Sequence, residues 1–475
     1  MTSLTSTPHD ALRIGQEATI TRLCRAEDLI VFSHASGSLN PLHLPDHDGD
    51  GDGQVEALAP AAWIAALIAG VVGNQLPGPG TRYRSQNLRF LGQAQAGDTL
   101  QVSVRVAEKL PDHAVRLAVM VTRPEAVIAQ GEVVVIAPMR HHRFEDLSVP
   151  GLVVQSHRHF DALIARAEGL AALPVIVVCP ESADAVAGAV QARDHGLIVP
   201  LFVGAPDKIA AAAAEAGVDI AGIEIVAVPD HRAAALRAVA MIHEGRGRAL
   251  MQGHLHSDEI LHAILKKEGG LRTNRRLSHV FVMDVPGLDH PLFVTDAAVN
   301  IAPDLSCKVS IVQNAIDLAR ALGLVRPKVG ILSAVETVTA AIPSTPDAAI
   351  LSKMAERGQI TGGDVDGPLA MDNAVDPGAA RAKGLTGLVA GRADILVAPN
   401  LEAGNMIAKE LSFLAHAEAA GLVMGAQVPV ILTSRADSAR ARLASCAVAV
   451  ILAEGRNAAD LDTQCWVKLA QGGGL

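Results

Sequence analysis

Hydrophobic and polar positions follow two different rhythms along the chain. Between about Ile14 and Ala137, the segments Thr99 to Val106, Ala114 to Thr122 and Val127 to Ile136 alternate apolar with polar residues or are β-branched. That is the period-2 pattern of antiparallel strands. Ahead of them runs an uncharged stretch, Ala57 to Gln75, built around WIAALIAGVVG and closed by the break Pro77-Gly78-Pro79-Gly80. Its length approaches a membrane span, but Pro60 and the many Ala and Gly favour a buried helix wrapped by a sheet. One long helix with a run of antiparallel strands is an α+β layout.

From Leu173 the rhythm changes. Short aliphatic runs (VIVV at 175, LIVPLFVG at 197, IEIVAV at 223, RALMQG at 248) alternate with Ala-rich helical segments such as Asp207 to Ala216 and Ala233 to His243. The alternation continues through HVFVMDV at 279, KVGILSAV at 328, ADILVAPN at 393 and PVILTS at 429. Strand and helix in turn predict a parallel, doubly wound α/β sheet, long enough for two lobes, with ligands at the carboxyl ends of strands. Between the two textures, MRHHRFEDLS reads as a solvated linker. His141, His142, His157 and His159 lack the HExxH or cysteine spacing that a metal site needs, so no metal is expected.

Composition narrows the function classes. Half of the 475 residues are hydrophobic and 19% are charged, which argues for packed domains over most of the length. Aromatics are 2% and the net charge is −10, a balance that excludes a nucleic-acid binder. An anionic substrate must then be caught by a local basic cluster. Cys24, Cys179, Cys307, Cys446 and Cys465 form no CxxC pair and read as buried reduced thiols of a cytoplasmic protein. The N-terminus carries no basic head followed by an apolar core, and neither GxxxxGK[ST] nor a strand-borne GxGxxG is present, so P-loop and dinucleotide readings have no motif support.

Candidate chemistry gathers at strand ends. ADILVAP ends in Asn400, and the following LEAGNMIAKEL brings Gly404, which permits close backbone approach to a ligand, and the donors Asn405 and Lys409 near a helix N-terminus. PVILT ends in Ser434-Arg435 and opens a helix near Asp437. A hydroxyl and a guanidinium there suit an oxyanion or phosphate, although Ser434 reads equally well as a helix cap and Arg435 as half of a surface ion pair. LRTNRRLSHV sets Arg272, Arg275 and Arg276 before a buried strand, a cluster suited to bidentate phosphate recognition or to a solvated loop.

These segments resemble, in order over residues 155 to 475, the phosphate acetyl/butyryltransferase family: RALMQG, GGLRTNRRLSHVFVMD, FVTDAAVNIAPDL, SAVETV, ILSKMAERGQITGGDVDGPLAMDNAV, ADILVAPNLEAGNMIAKEL and GAQVPVILTSRADS. The form TSRADS looks closer to the butyryl-type branch than to the acetyl-type, which tends to carry LSRG. The resemblance implies direct exchange of an acyl group between coenzyme A and phosphate, both bound as substrates, with no tightly bound cofactor. By it, Arg435 would polarise the acyl oxygen or hold phosphate, and Ser434 would hydrogen-bond the tetrahedral intermediate. Acetyl-type members carry a carboxylate seven positions after the serine; here Ala441 stands there, and Asp437 is a weak substitute, so the base is open. The implied fold is a two-lobed, three-layer α/β domain similar to isocitrate and isopropylmalate dehydrogenases, dimeric through the second lobe. The first lobe would span about 157–290 plus 434–475 and the second 291–433.

Nearer the N-terminus, FSHASGSLNPLHLPD and LPGPGTRYRSQNLRFLGQAQAGDTLQVSVRV resemble MaoC-type (R)-specific enoyl-CoA hydratases, implying a hot-dog fold over about 12–140 and a linker at 141–156. That family pairs a carboxylate with a histidine five residues later to activate water. Here Asn40 and His43 are in register but Ser38 replaces the carboxylate, so hydratase activity is expected to be weak or absent. The DHDGDGDGQVE loop does not restore the pair, nor is it an EF-hand, because Ala57 or Ala59 falls where the bidentate Glu belongs. Three functions follow: an acyltransferase with a degenerate appendage, a bifunctional enzyme that also hydrates enoyl-CoA, or a non-catalytic acyl-CoA-binding protein. A homo-oligomer with no nucleic-acid or membrane partner is expected for each.

Overall fold

The computed structural model describes residues 3–145, 152–155, 157–432 and 438–471, with side chains as far as 455. The chain divides into two compact units, Met1–Val154 and Gln155–Leu475.

The first unit begins with β1 (Leu4–Thr5), β2 (Glu17–Leu23), α1 (Ala26–Ser36) and α2 (Ala61–Asn74). Then come β3 (Arg82–Phe90), β4 (Thr99–Lys109), β5 (Ala114–Arg123), β6 (Ala126–Ile136) and β7 (Arg143–Phe144). Five strands form an antiparallel sheet in the order β2-β4-β5-β6-β3. The expected helix is α2: Trp63, Ile64, Ile68, Val71 and Val72 bury against the alternating face of Leu100, Val102 and Val104. Its opposite face is mostly Ala and Gly, which explains why the stretch reads as apolar all round. Gly78 follows the helix at φ +94, and a Cβ there would meet the Thr5 carbonyl at 2.8 Å, so the break is a close backbone crossing that requires glycine. β7 pairs with β1, so residues 143–144 of the expected linker are strand and join the first unit's N-terminal end.

The second unit opens with α3 (Arg158–Glu168), β8 (Leu173–Val178), α4 (Ala183–Asp194), β9 (Ile198–Gly204) and α5 (Pro206–Ala216). Next are β10 (Ile225–Ala227), α6 (His231–His243), β11 (Ala249–Gln252), α7 (Ser257–Leu265), β12 (Ser278–Asp284) and β13 (Leu292–Thr295). α8 (Leu305–Ala321), β14 (Lys328–Leu332), α9 (Ser344–Glu356), β15 (Asp364–Leu369), α10 (Met371–Val375) and α11 (Pro377–Ala382) follow. The unit closes with β16 (Ile395–Val397), α12 (Leu401–Leu414), β17 (Glu418–Met424), β18 (Val430–Ile431) and α13 (Ala439–Gln471).

The eleven strands among the unit's described residues share one sheet, ordered β10-β9-β8-β11-β18-β17-β12-β13-β16-β14-β15. The rhythm of the sequence predicts a parallel sheet; this one is mixed. β10 to β18 form one parallel block and β13 to β15 another of opposite sense, joined through β17 and β12, which pair antiparallel with each other and with their outer neighbours. The reason is connection length: residues 285–291 and 425–429 are hairpin loops, too short for the crossover that a parallel pair needs. β18, placed by the sequence reading in the second lobe, pairs with β11 in the first block.

The strands alternate their side chains between two faces, and helices cover both, giving three layers. One face is a single apolar cluster under α3, α4, α5, α8, α9 and α13. The other carries two clusters, one beneath α6 and α7, the other beneath α10, α11 and α12.

Candidate functional site

The gap between those two clusters lies over β12 and β17, and a cavity of about 510 Å³ occupies it. His279 and Phe281 of β12 and Ala419 of β17 face it; Asn405 and Lys409 of α12 line one wall, and Leu432, Ser438 and Ala441 another. A concave site with apolar walls and a few convergent polar groups is where proteins place small ligands. Ser434, Arg435 and Asp437 lie outside the described residues; Leu432 and Ser438, on either side of them in sequence, both line the cavity.

Of the α12 residues singled out, Asn405 and Lys409 reach the cavity. Asn405 donates from Nδ2 to the Ala297 carbonyl at 3.2 Å, and Lys409 is exposed at the wall. Asn400 is the helix cap, its side chain accepting from Ala403 N at 2.9 Å. Gly404 faces backbone: an added Cβ would stand 2.2 Å from the Asp296 carbonyl oxygen. Its glycine thus seats α12 against the chain leaving β13, which fixes where Asn405 and Lys409 stand.

The three arginines are not gathered in this cavity. Arg275 is ion-paired with Asp317 and lines a second cavity of about 790 Å³ with Arg320 and Gln427. Arg272 and Arg276 are exposed; Arg272 offers its carbonyl to Gln427, and the Arg276 carbonyl accepts from Asn314.

His279 and Glu418 are cavity residues that sequence reasoning did not single out. His279 is fully buried, and neither ring nitrogen has a hydrogen-bond partner. Burial lowers its pKa, opposed by the Asp296 carboxylate and the Leu432 carbonyl. Its ring meets Phe281 edge-on at 4.3 Å. Gly421 of β17 makes room for it, since a Cβ there would fall 2.8 Å from His279 Nε2 and 2.6 Å from the Leu432 carbonyl. Glu418, by contrast, is ion-paired with Arg440 of α13 at 3.0 Å, and burial raises its pKa. The sequence signal for His279 was available: a histidine in the apolar run HVFVMDV, at a position facing away from Val280 and Val282.

Elsewhere the candidates take structural partners. His43 Nδ1 lies 2.9 Å from the Leu58 carbonyl, and Asn40 caps the short turn Pro41–His43. The linker histidines have backbone carbonyls as partners: His141 at Ser6, His157 at Asp284, His159 at Leu288. Two groups of metal-capable side chains occur among the described residues, Asp48-Asp50-Asp52-Glu56 and Cys179-Glu181-His231. In the first, Asp48 folds its own loop by accepting from the backbone N–H of Gly51 and Gly53. In the second, Glu181 is held by Lys208, His231 and the Ala205 N–H. Cys24, Cys179, Cys307 and Cys446 are buried thiols as expected, raised by burial to about 11 for Cys24 and about 12 for Cys179 and Cys446. No helix among the described residues is long and apolar enough to cross a membrane.

Comparison with known proteins gives the second unit its kinship. The sequence profile of the "Phosphate acetyl/butaryl transferase" family matches residues 231–450. A phosphate acetyltransferase of Rhizobium meliloti is 59% identical over 302 residues, 64% of this chain and 96% of that protein. A phosphate butyryltransferase of Clostridium acetobutylicum is 39% identical over 62% of this chain and 98% of its own length. The crystal structure of a branched-chain phosphotransacylase from Enterococcus faecalis superposes with a TM-score of 0.52 at 29% identity, over 59% of this chain and 99% of that one. The R-hydratase PhaJ1 from Pseudomonas aeruginosa is 33% identical over 32% of this chain, with a TM-score of 0.31. A relative matched almost end to end at this identity, sharing a fold whose central crevice carries the family's segments, settles the matter: the chain belongs to the phosphate acetyl/butyryltransferase family and is a phosphate acyltransferase.

Proposed function

We propose that the cavity over β12 and β17 is where an acyl group passes between coenzyme A and phosphate. The observation that carries this reading is the convergence on one crevice of Asn405, Lys409 and the two residues that flank the Ser434–Asp437 stretch. Ser434 and Arg435 then serve the tetrahedral intermediate and the phosphate, as the family resemblance implies. Transfer needs only a modestly activated nucleophile, since a free thiol ionises near ~8.5, so a ternary complex without a covalent enzyme intermediate suffices. Phe281, Ala419 and Ala441 give the crevice apolar walls, which favours a short aliphatic acyl group, acetyl to butyryl.

The two parallel blocks correspond in this reading to the two lobes of a dehydrogenase-like fold. The first unit is then a hot-dog domain, kept for acyl-CoA binding or assembly of a cytoplasmic homo-oligomer; His43 without a carboxylate partner supports that over hydration. The test is release of coenzyme A thiol from acetyl-, propionyl- and butyryl-CoA in phosphate buffer, with Arg435→Ala alongside. Phosphate-dependent release that falls by about 10²-fold or more in the variant supports the reading. No release from folded protein with any chain length refutes it.

A further inference from the structure

We propose that His279 accepts the proton of the coenzyme A thiol in the cavity over β12 and β17. The inference rests on the acyltransferase reading of that cavity.

An imidazole that is wholly buried with both nitrogens unpaired is a costly arrangement that buried polar groups rarely adopt. The ring is held by shape instead. Phe281 meets it edge-on, and Gly421 lies beneath Nε2 where any larger residue would collide. The Leu432 carbonyl stands beside it without completing a hydrogen bond. Packing therefore fixes the orientation while leaving proton-accepting capacity unspent.

The other polar groups of the cavity suit this work less well, and the hydroxyls of Ser257, Ser412 and Ser438 are too weakly basic to hold the proton. Lys409 is a donor and has no acceptor in its charged form. The Glu418 carboxylate faces the Arg440 guanidinium as an ion pair at 3.0 Å, whose charge opposes proton uptake, although its Oε2 completes no hydrogen bond; Asn405 donates to the Ala297 carbonyl. From α13 the cavity receives Ala441, which has no acceptor. Among the described lining residues, His279 alone offers an unpaired ring nitrogen that can take up a proton and give it back. Burial favours its neutral, accepting form, against the opposing pull of Asp296; Lys409 and Glu418 are the other charged groups facing the cavity.

The step balances without further reactants. A neutral ring nitrogen takes the thiol proton, the thiolate attacks the carbonyl carbon of the acyl phosphate, and the carbon–oxygen bond to phosphate breaks. The imidazolium then returns its proton to the departing phosphate, leaving the thioester, hydrogen phosphate and a neutral histidine.

The test uses the full chain and acyl phosphate with coenzyme A as substrates. His279→Gln keeps the bulk and removes the base. Its kcat should fall by about 10²–10⁴-fold while KM for coenzyme A changes little. Free imidazole should restore part of the activity of His279→Ala, which a merely structural role would not allow. In the wild type, kcat should show an acid limb as the histidine protonates. A folded His279→Gln with kcat within tenfold of wild type would overturn the proposal, as would an effect confined to KM. Should neither variant fold, a wild-type single-turnover rate with no solvent deuterium isotope effect overturns it without any substitution. A wild type with no transfer at all would instead refute the acyltransferase reading of the cavity.

Discussion

Gly404→Ala moves one wall of the cavity by a single methyl group. The new Cβ would stand 2.2 Å from the Asp296 carbonyl oxygen and 3.1 Å from Ala297 Cα. Ordinary contact begins near 3.4 Å, so the deficit against the carbonyl is about 1.2 Å (3.4 − 2.2), and both neighbours are backbone. α12 must therefore retreat by roughly 1 Å, carrying Asn405 and Lys409 with it. Overpacking of this kind costs about 3 kcal/mol at the upper end. Ala in place of Gly returns about 1 kcal/mol of helix propensity, leaving a net loss of about 2 kcal/mol. For a unit of this size that lowers the melting temperature by about 3 °C. A 1 Å misplacement of positioning groups can cost ~10²-fold, so kcat/KM for thiol release should drop by one to two orders of magnitude. The assays are a thermal melt and steady-state kinetics on the same preparation. If Gly404 were needed only to admit a ligand, propensity would raise the melting temperature while KM rose. That result, or unchanged stability with unchanged kinetics, refutes the packing argument.

Two further substitutions have definite signs. His43→Ala should leave coenzyme A release within about twofold of wild type, because its ring is engaged with Leu58 in the first unit; a large loss in a folded variant would contradict this. Burial alone would raise the pKa of Glu181, but the Ala205 N–H, His231 and Lys208 outweigh it and hold the carboxyl below its ordinary range. A depressed carboxylate stabilises the fold above the unfolded pKa of about 4.3 and loses that contribution as pH falls through the folded value. Glu181→Gln should thus be less stable than wild type at neutral pH, with the gap in denaturant midpoint closing in acid; a gap independent of pH would contradict the assignment.

Where side-chain pattern reflects one buried face, the sequence was legible. β4, β5 and β6 alternate because one face meets α2, and the aliphatic runs at 175, 197 and 248 are strands buried on both faces. Periodicity does not mark β3, which the sequence shows only through the hot-dog resemblance, because it is an edge strand, RYRSQNLRF, exposed along nearly its whole length, so no face selects apolar residues. β13, only LFVT, is too short to carry a period. Of the site, Asn405 and Lys409 were readable from a strand end followed by a helix start. Asn400 and Gly404 sit in the same motif yet serve the helix itself, a distinction that needs distances. The sense of β12 was not legible, because hairpin and crossover differ in the length of a loop whose ends periodicity places only loosely.

The position of the cavity follows from that reversal of sense. Within each parallel block, crossover helices lie over their own strands, so the face beneath α6 and α7 and the face beneath α10 to α12 are each sealed. β12 and β17 each leave by a hairpin, so no crossover helix follows either of them to cover that face. Strands lie about 4.8 Å apart, so two strands without a helix directly above them leave a trough roughly 10 Å wide. Side chains could have filled it, but β17 presents Ala419 and Gly421 there, and Gly421 has no room for even a methyl group beside His279. The same smallness makes EAAGLVM look more like helix than strand, since Ala and Gly are depleted in sheets. The residues that keep the crevice open are thus the ones that hide its floor in the sequence. Filling the trough at Gly421 would expel the imidazole before it blocked a substrate, so the glycine and the buried histidine form one structural unit.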